Sequence, residues 1–530
     1  MSSSFPWILV SANDATDREK AQTDSAYQCD GVADDVQIQA ALDVLPTGVV
    51  YLSSGTFNLA AAPTITTGNA LRGVSKWLTF VKQTASTNLA RLIDARGKSN
   101  LYFSDFTLDG NYANQTVWGY GLDISNNGTT PTNILMERIR FRNIGGAGIV
   151  EDVALYRAVH GTGSSPYVRR VRAVDCDVED CAEGIILAGD DVHASGIFVY
   201  KVSRADAGLS GVFVTSGAGQ SITHCNIRDT TISCIDFGEM TRGVIADNQF
   251  YPAYGGLGMQ ADGILRDVAI VNNVIEHPAT QSGADEGAGI LFTGGVFDTL
   301  TDLGTRTVLV SHNTIRNSSI AIYIYGANSD VVIADNLIEG WENTAIRVRQ
   351  HYTAFDADGA PQRITIRGNY LNYTLTSYGV GAAYGIALWS TVGCKVYDNI
   401  IRSAANMAQF IEEKEDDAYA DRVTPATNRY ERNDVTGATA TTPFSSVVAS
   451  SVVKANPGYA TENSGATSVA DGGTIAHGLV ATPTKVRCTP SVSGEFVSVT
   501  ALAATTFTVA IKTHAGAAGT TQTIYWSAEL

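Results

Sequence analysis

One short phrase recurs through the middle of the chain and limits what it can fold into. It is an apolar residue, two spacers, Asn, one spacer and another apolar residue. It reads Ile245…Asn248…Phe250, Ile270…Asn273…Ile275, Val310…Asn313…Ile315, Ile333…Asn336…Ile338, Ile366…Asn369…Leu371, Val396…Asn399…Ile401 and Tyr430…Asn433…Val435. Successive asparagines lie 25, 40, 23, 33, 30 and 34 residues apart. Self-similarity at such periods marks a stack of repeats, each too small to bury its apolar face alone. Upstream the Asn slot is filled by Cys225, Cys176, Ile139 and Phe106. A further copy is expected around Val202, because Cys176 and Cys225 are about two repeats apart.

Each phrase is followed by a second short apolar strand, as in Gly184-Ile185-Ile186-Leu187, Gly211-Val212-Phe213-Val214, Ala321-Ile322-Tyr323-Ile324, Ala345-Ile346-Arg347-Val348 and Gly385-Ile386-Ala387-Leu388. Apolar residues alternate with any residue at all, the pattern of a strand with one buried face. Gly, Asn, Asp and Ser punctuate between strands, and no long helical period intervenes. Asparagines at one turn of every rung can stack into a hydrogen-bonded amide ladder. The pattern predicts an all-β chain, a right-handed parallel β-helix of about a dozen rungs and ~55 Å, taking ~4.8 Å between strands.

A solenoid of this kind escapes the size limit of a single core, so 530 residues need not split into ordinary domains. The net charge is −17. That charge repels nucleic acid and anionic membranes, and it also discourages association of strand edges. The seven cysteines are odd in number and fit no metal spacing, so they read as small core residues made in a reducing compartment. The first ten residues lack a basic and a long apolar segment, so no signal peptide is expected. No apolar run is long enough to span a bilayer.

Near the start, Asp30-Gly31-Val32-Ala33-Asp34-Asp35 precedes Val36-Gln37-Ile38-Gln39-Ala40-Ala41-Leu42. Asp34 or Asp35 can cap a helix whose apolar face would be Val36, Ala40, Ala41 and Val44. The strand Val49-Val50-Tyr51-Leu52, the turn to Gly55-Thr56-Phe57 and then Leu71-Arg72-Gly73 follow. In this order the segment resembles the start of the pectate-lyase-like β-helix proteins. The resemblance, with the ladder, covers roughly residues 8–440, and it implies the fold with a helix capping the open end. It does not imply one activity, since that family includes lyases, hydrolases, epimerases and phage tailspikes.

Two rungs are long, with inserts at residues 277–307 and 351–362, and loops leaving a rigid solenoid commonly line its binding face. After Val435 the texture changes. The chain divides into an N-terminal strand and cap at 1–75, a β-helix at 76–440, a transition at 441–470 and a small β-sandwich-like domain at 471–530. The segment Ala476-His477-Gly478-Leu479 resembles the C-terminal β-domains of phage tail proteins, which implies a homotrimer.

Aligning the second strands on their buried Ile or Val puts Asp236, Tyr323, Arg347 and Ala387 in one outward column. Ala188, Thr215, Tyr325, Arg349 and Trp389 fall in the next, with His351 just beyond. Aromatic faces stack on sugar rings, and Arg grips hydroxyls or carboxylates through a planar fork. The same side chains would equally serve to pack beneath loops or against a neighbouring subunit. Asp236 and Glu239 stand at one strand end, and Asp262 belongs to the next rung. Two carboxyl groups ~5 Å apart support retaining glycoside cleavage, and ~6.5–9.5 Å inverting cleavage. Solvated turn acids are the competing reading.

Gly189-Asp190-Asp191 is similar to the Asp-Asp motif of polygalacturonase-type hydrolases, but the Gly-His-Gly and Arg-Ile-Lys partners are absent. The Asp-Pro-His motif of alginate epimerases is missing too, while Arg347, Arg349, His351, Tyr323 and Tyr325 have the chemistry a uronate lyase needs. Asp356-Ala357-Asp358-Gly359 reads as a turn rather than a calcium loop. Glu412 to Asp417 reads as a solvated charge run. No Ser-His-Asp set, nucleotide loop, metal site or cofactor motif is evident.

The expectation is a tailspike-like glycosidase that hydrolyses a polysaccharide within the chain, located in a virion tail or released outside the cell. Asp236, Glu239 and Asp262 form its acid/base set, with Asp190 and Asp191 as second choices. Tyr323, Tyr325, Arg347, Arg349, Trp389 and His351 hold the sugar. A uronate lyase or epimerase and a glycan-binding fibre without catalysis are the alternatives.

Overall fold

The alternation read from the sequence closes into coils with three strands per turn. One central rung runs Arg306–Ser311, Thr314–Arg316 and Ile320–Tyr325, and the next repeats it as Ser329–Ala334, Leu337–Glu339 and Thr344–Arg349. Val308, Val310, Ile315, Ile322 and Ile324 point into the coil and are fully buried. Each strand pairs in parallel with its counterpart one rung on, with Val310 opposite Ile333, Ile315 opposite Ile338 and Ile322 opposite Ile346. The result is three parallel sheets around one continuous apolar core that runs from Val10 to Phe444. Sheet two, which contains Thr314–Arg316, has 13 strands, ~58 Å at ~4.8 Å per step. Sheets one and three, containing Arg306–Ser311 and Ile320–Tyr325, are joined by a single 13-residue strand, Glu183–Ser195, that passes between them without a turn.

The computed structural model describes residues 6–117, 119–145, 147–150, 168–202, 210–215, 217–238, 240–253, 255–261, 265–278, 287–293, 306–326, 328–350, 360–374, 383–404, 407–415, 423–440, 442–445 and 450–530. Most of the two inserts, together with Asp356 and Asp358, lies outside them.

The asparagines form the expected ladder at the corner between sheets one and two. Each side-chain amide donates to the next Asn carbonyl at 2.9–3.0 Å, from Asn248 through Asn273, Asn313, Asn336, Asn369, Asn399 and Asn433. The ladder extends one rung further than the repeated phrase, to Asn456. The same amides also donate to a backbone carbonyl of the preceding rung, as Asn336 does to Val310 at 3.0 Å. The residue just before each slot turns the chain with a left-handed backbone. Asp247, Asn272, His312, Asp335, Asp398 and Arg432 all have φ between 55° and 59°, and Gly368 has 64°. Such a backbone is tolerated best by Gly, Asn and Asp, which fill five of these seven positions, with His312 and Arg432 the exceptions. The copy expected near Val202 has its slot at Ile197, between strands Glu183–Ser195 and Phe198–Val202.

The N-terminal helix spans Asp35–Val44, but its buried face is Ile38, Ala41 and Leu42. Val36 and Val44 are exposed, so the face is rotated from the expected one. Asp34 does not cap the helix with its side chain. Its carboxylate accepts the Gly31 and Asn58 backbone N–H groups at 2.8 and 2.7 Å, and Asp35 accepts that of Ala60. These acids tie the helix to the first rungs, a use that a helix-only reading could not reveal.

Beyond the rod, Glu462–Val469, Gln522–Glu529 and Lys485–Pro490 form one antiparallel sheet, and Thr474–Ala476, Thr506–Thr513 and Glu495–Leu502 another. The first of these strands falls inside the stretch read as transition. They enclose a separate core of Ile475, Phe507, Val509, Ile511, Ile524 and Trp526. His477 is fully buried, with Nδ1 accepting from the Leu479 N–H at 3.0 Å and Nε2 3.1 Å from the Ala503 carbonyl. All seven cysteines are free, and six are buried. Burial pushes the Cys176, Cys225, Cys234 and Cys394 thiols up to about 12, as inert core residues require. Among the described residues no helix is long and apolar enough to cross a membrane.

Candidate functional site

Because the ladder locks register, every rung places its outward side chains of sheet three in line. One column runs Asp236, Gln260, Leu291, Tyr323, Arg347, Ala387, Glu412 in direct Cα register. Two positions on, Tyr325, Arg349, Trp389 and Lys414 are also aligned. The two columns read from the sequence are therefore physical rows, and Glu412 and Lys414 extend them. The run Glu412–Lys414 is not a solvated loop but the end of strand Gln409–Lys414, with Glu412 5% and Glu413 0% exposed. Glu413 points into the rod, where its carboxylate accepts from Asn428 Nδ2 and Ser451 Oγ at 2.9 and 2.7 Å.

The lower end of this face centres on the Trp389 indole. Arg347, Arg349 and Lys414 place their cationic groups 4.7, 5.3 and 4.2 Å from its ring centre. Cations at that range are attracted to the ring quadrupole and hold it rigid. Trp389 Nε1 donates to Glu412 Oε2 at 2.7 Å, and Lys414 Nζ lies 3.7 Å from Glu412. Tyr323 and Arg347 are only 4% exposed. Arg347 donates to Asn343 Oδ1 and Thr344 Oγ1 at 2.7 and 2.9 Å, and its guanidinium sits 5.6 Å from the Tyr323 ring. Tyr323 and Arg347 thus form the floor, while Tyr325, Arg349, Trp389 and Lys414 stand half-buried above it. Tyr384, on the same strand as Trp389, has its phenol pushed up by burial first and by Glu412 second.

The upper end is polar. Asp236 is half-buried, and its Oδ2 lies 3.5 Å from Ser210 Oγ, which is 2.7 Å from Ser233 Oγ. Ser210 and Ser233 are cross-strand partners, and Glu183 precedes them in the same column, with Ala147 on its other side. Burial alone raises the Glu183 carboxyl to about 7. Tyr120 is raised by burial first, then by Glu183 and Asp123. Above them Arg91 Nε meets Asp123 at 2.8 Å, and Arg96 clasps Asp94 with two hydrogen bonds. Glu239, Asp262 and His351 lie outside the described residues.

Asp190 and Asp191 are not brought beside Asp236. The strand that carries them has already crossed into sheet one, where Asp190 faces Arg169 at 3.7 Å and accepts the Ala218 N–H at 3.1 Å. Asp191 Oδ1 is 2.8 Å from His193 Nε2, and His193 Nδ1 is 2.7 Å from Ser221 Oγ. The sequence shows no Ser-His-Asp set, because Ser221 reaches His193 only through cross-strand pairing. This chain lies on an open strand face, with about half of the Asp191 side chain exposed, and it links rungs rather than lining a cleft.

Sequence reasoning missed Glu183, Ser210, Ser233, Tyr384, Glu412 and Lys414. Aligning Ile411 with Ile386 would have exposed Glu412 and Lys414, and aligning Ile185 with Val212 and Ile235 would have placed Glu183 above the two serines.

No protein-family model matches the chain, and no curated protein matches it in sequence. Among solved structures it is similar to a mutant tailspike protein of E. coli bacteriophage HK620 in complex with a pentasaccharide, with 10% identity, a TM-score of 0.51 and coverage of 96% of this chain and 92% of that one. It is similar to the tailspike gp61 of Pseudomonas phage phi297, with 12% identity, a TM-score of 0.49 and coverage of 94% and 92%. A mannuronan C-5 epimerase A-module from Azotobacter vinelandii shares 16% identity with a TM-score of 0.38, over 81% of this chain and 97% of that one. At these identities the likeness speaks to architecture. The chain is a right-handed parallel β-helix protein, in keeping with its three parallel sheets and the architecture it shares with the HK620 tailspike.

Proposed function

We propose that the outward face of sheet three binds a polysaccharide and cleaves it by hydrolysis. The observation that carries this reading is the row around Trp389, an indole and a phenol in register with Arg349 and Lys414 over a buried Tyr323–Arg347 floor. Such a row offers flat apolar area for sugar rings and fixed donors for their hydroxyls at little ordering cost, because the side chains are already held. It continues along the rod to the carboxyl and hydroxyl groups at Asp236, Ser210 and Ser233. A chain of sugars lying parallel to the rod meets both ends. Asp236, with Glu239 and Asp262, which follow this strand and the next in sequence, supplies the carboxyl groups. A similar fold in a phage tailspike is seen with a pentasaccharide, which fits a place in a virion tail and a trimer joined through the C-terminal sheets.

The test is product analysis over a panel of neutral and uronate polysaccharides, following reducing ends and the ultraviolet absorbance of unsaturated sugars together. Reducing ends without absorbance are expected. Both signals together would establish a lyase instead and move the chemistry to Arg349, Tyr325 and Lys414. Tight retention of one glycan with neither signal would leave a binding fibre.

A further inference from the structure

We propose that the outward face of sheet two carries a second glycan site, centred on Arg228, that holds a carboxylate-bearing sugar without cleaving it. The site is separate from the row on sheet three and does not depend on it. Three consecutive strands build it, Phe198–Val202, Asn226–Thr230 and Gln249–Tyr251. Val199, Ile227 and Phe250 enter the core in direct register and are fully buried. The residues on either side of them therefore face outward. Phe198, Asn226 and Gln249 fall in one column, and Tyr200, Arg228 and Tyr251 in the other. The columns lie ~6.6 Å apart and successive strands ~4.8 Å apart, so the six side chains make one continuous patch.

The second column departs from the pattern kept by the rest of sheet two. Its other outward arginines each meet a carboxylate. Arg140 pairs with Glu179, Arg142 with Asp109 at 2.7 Å, Arg316 with Glu339 at 2.9 Å and Arg402 with Asp434 at 2.6 Å. Arg228 stands instead between two tyrosines, and among the described residues no carboxylate pairs with it. Its guanidinium lies 4.7 Å from the Tyr251 ring centre, and its Nε donates to Asn226 Oδ1 at 2.8 Å. Asn226 Nδ2 donates in turn to Gln249 Oε1 at 3.1 Å. The cation is thus held in place, while its terminal N–H groups have no acceptor among the described residues. Beside it Phe198 and Tyr200 turn two large rings to solvent, 41% and 42% exposed. Exposed rings offer flat apolar area to the C–H faces of a sugar, and a planar guanidinium takes a carboxylate through two parallel hydrogen bonds. The chain as a whole repels acidic ligands at a net charge of −17, so a cation that no internal acid neutralises marks where one can settle. Because Arg228 is already ordered, that contact costs less to form. The six residues include no carboxyl group, so the site retains its sugar and leaves the glycosidic bond intact.

The full-length protein is titrated calorimetrically with short gluco-, galacto-, manno- and guluronate oligosaccharides, each beside its methyl ester. The titrations are run on the wild type and on Trp389→Ala, in which the row on sheet three is impaired. At least one acid form is expected to bind both proteins more tightly than its ester. Adding Arg228→Gln is expected to weaken that binding roughly tenfold, as loss of a charge-assisted hydrogen bond does, and to bring acid and ester level. Tyr200→Ala is expected to weaken acid and ester alike. Binding that vanishes with Trp389→Ala and ignores Arg228→Gln would place the uronate on sheet three, overturning this site and leaving the reading of sheet three standing. Equal affinity of the wild type for acid and ester, or no binding of any member, overturns the site too. If Arg228→Gln and Phe198→Ala alter the sedimentation of the protein but not its uronate binding, the patch joins copies of the chain and the proposal fails. Release of reducing ends tests sheet three separately and has no bearing on this site.

Discussion

The corner that holds the asparagine ladder and the outward face of sheet three are built by the same rungs, yet they obey opposite rules. At the corner the rungs from Asn248 to Asn456 repeat one residue, because each amide must meet an identical amide 2.9–3.0 Å away. On sheet three the register is equally strict, but nothing requires adjacent residues to match, and Tyr323, Arg347, Ala387 and Glu412 follow one another. Repetition inside fixes where each side chain stands, and that leaves the outside free to differ from rung to rung.

The largest effect that breaks this contrast is expected at the ladder. Asn336→Ala removes a fully buried amide that gives and receives four hydrogen bonds, with Val310, Asn369 and two groups of Asn313. Partners stranded without water cost about 1–3 kcal/mol each, and because Asn369 Oδ1 and Asn313 Nδ2 each keep another bond, a loss of about 3–5 kcal/mol is expected. Denaturant unfolding measures it, and a midpoint equal to wild type would show that the ladder is ornamental.

Next in size is the pH dependence at Glu183. Its folded carboxyl is raised from 4.5 to about 7, so the folded state holds an extra proton between those values. Stability from this group is complete below about 4.5 and is lost as pH rises through 7, by up to about 3 kcal/mol. Glu183→Gln should therefore raise the thermal midpoint at pH 8 and leave it unchanged at pH 4. A rise of equal size at both values would contradict the burial argument.

Trp389→Ala is expected to weaken retention of the glycan by about 2 kcal/mol, roughly thirtyfold, as loss of a central aromatic anchor does. Trp389→Phe keeps the stacking face but gives up the hydrogen bond to Glu412, and should lose less. Affinity chromatography on the immobilised glycan separates the two. The smallest effect belongs to Arg363→Ala, which breaks an exposed two-pronged pair with Asp330 at 2.8 Å. Less than about 1 kcal/mol is expected, and none at high salt, since water and ions already screen it. A larger loss would mean that the outside of the rungs is less free than sheet three implies.

The same contrast explains what could be read from the chain alone. In the rungs marked by Asn313, Asn336 and Asn369 the outward row was legible too, which is why Tyr323, Tyr325, Arg347, Arg349 and Trp389 fall where their alignment put them. Where Cys or Ile fills the slot the mark fades, so Ile197 was not singled out and Glu183 was not aligned with Ser210. Asp190 and Asp191 follow sheet three in sequence but lie in sheet one, because the strand bends at Gly189, with φ 146°, and runs on into sheet one without breaking its pairing. The acidic run at Glu412 concealed a strand, since charge normally argues for solvent, and here a neighbouring indole and an interior Asn satisfy it.

The intervals between successive ladder asparagines run from 23 to 40 residues, while the amides they connect remain in contact throughout. Length is thus absorbed entirely by the excursions between strands. A rung can exchange one excursion for another of different size without disturbing its neighbours' bonding. Such a rod is a cassette holder. Specificity can be replaced piecewise by recombination, and no compensating change in the core has to accompany it.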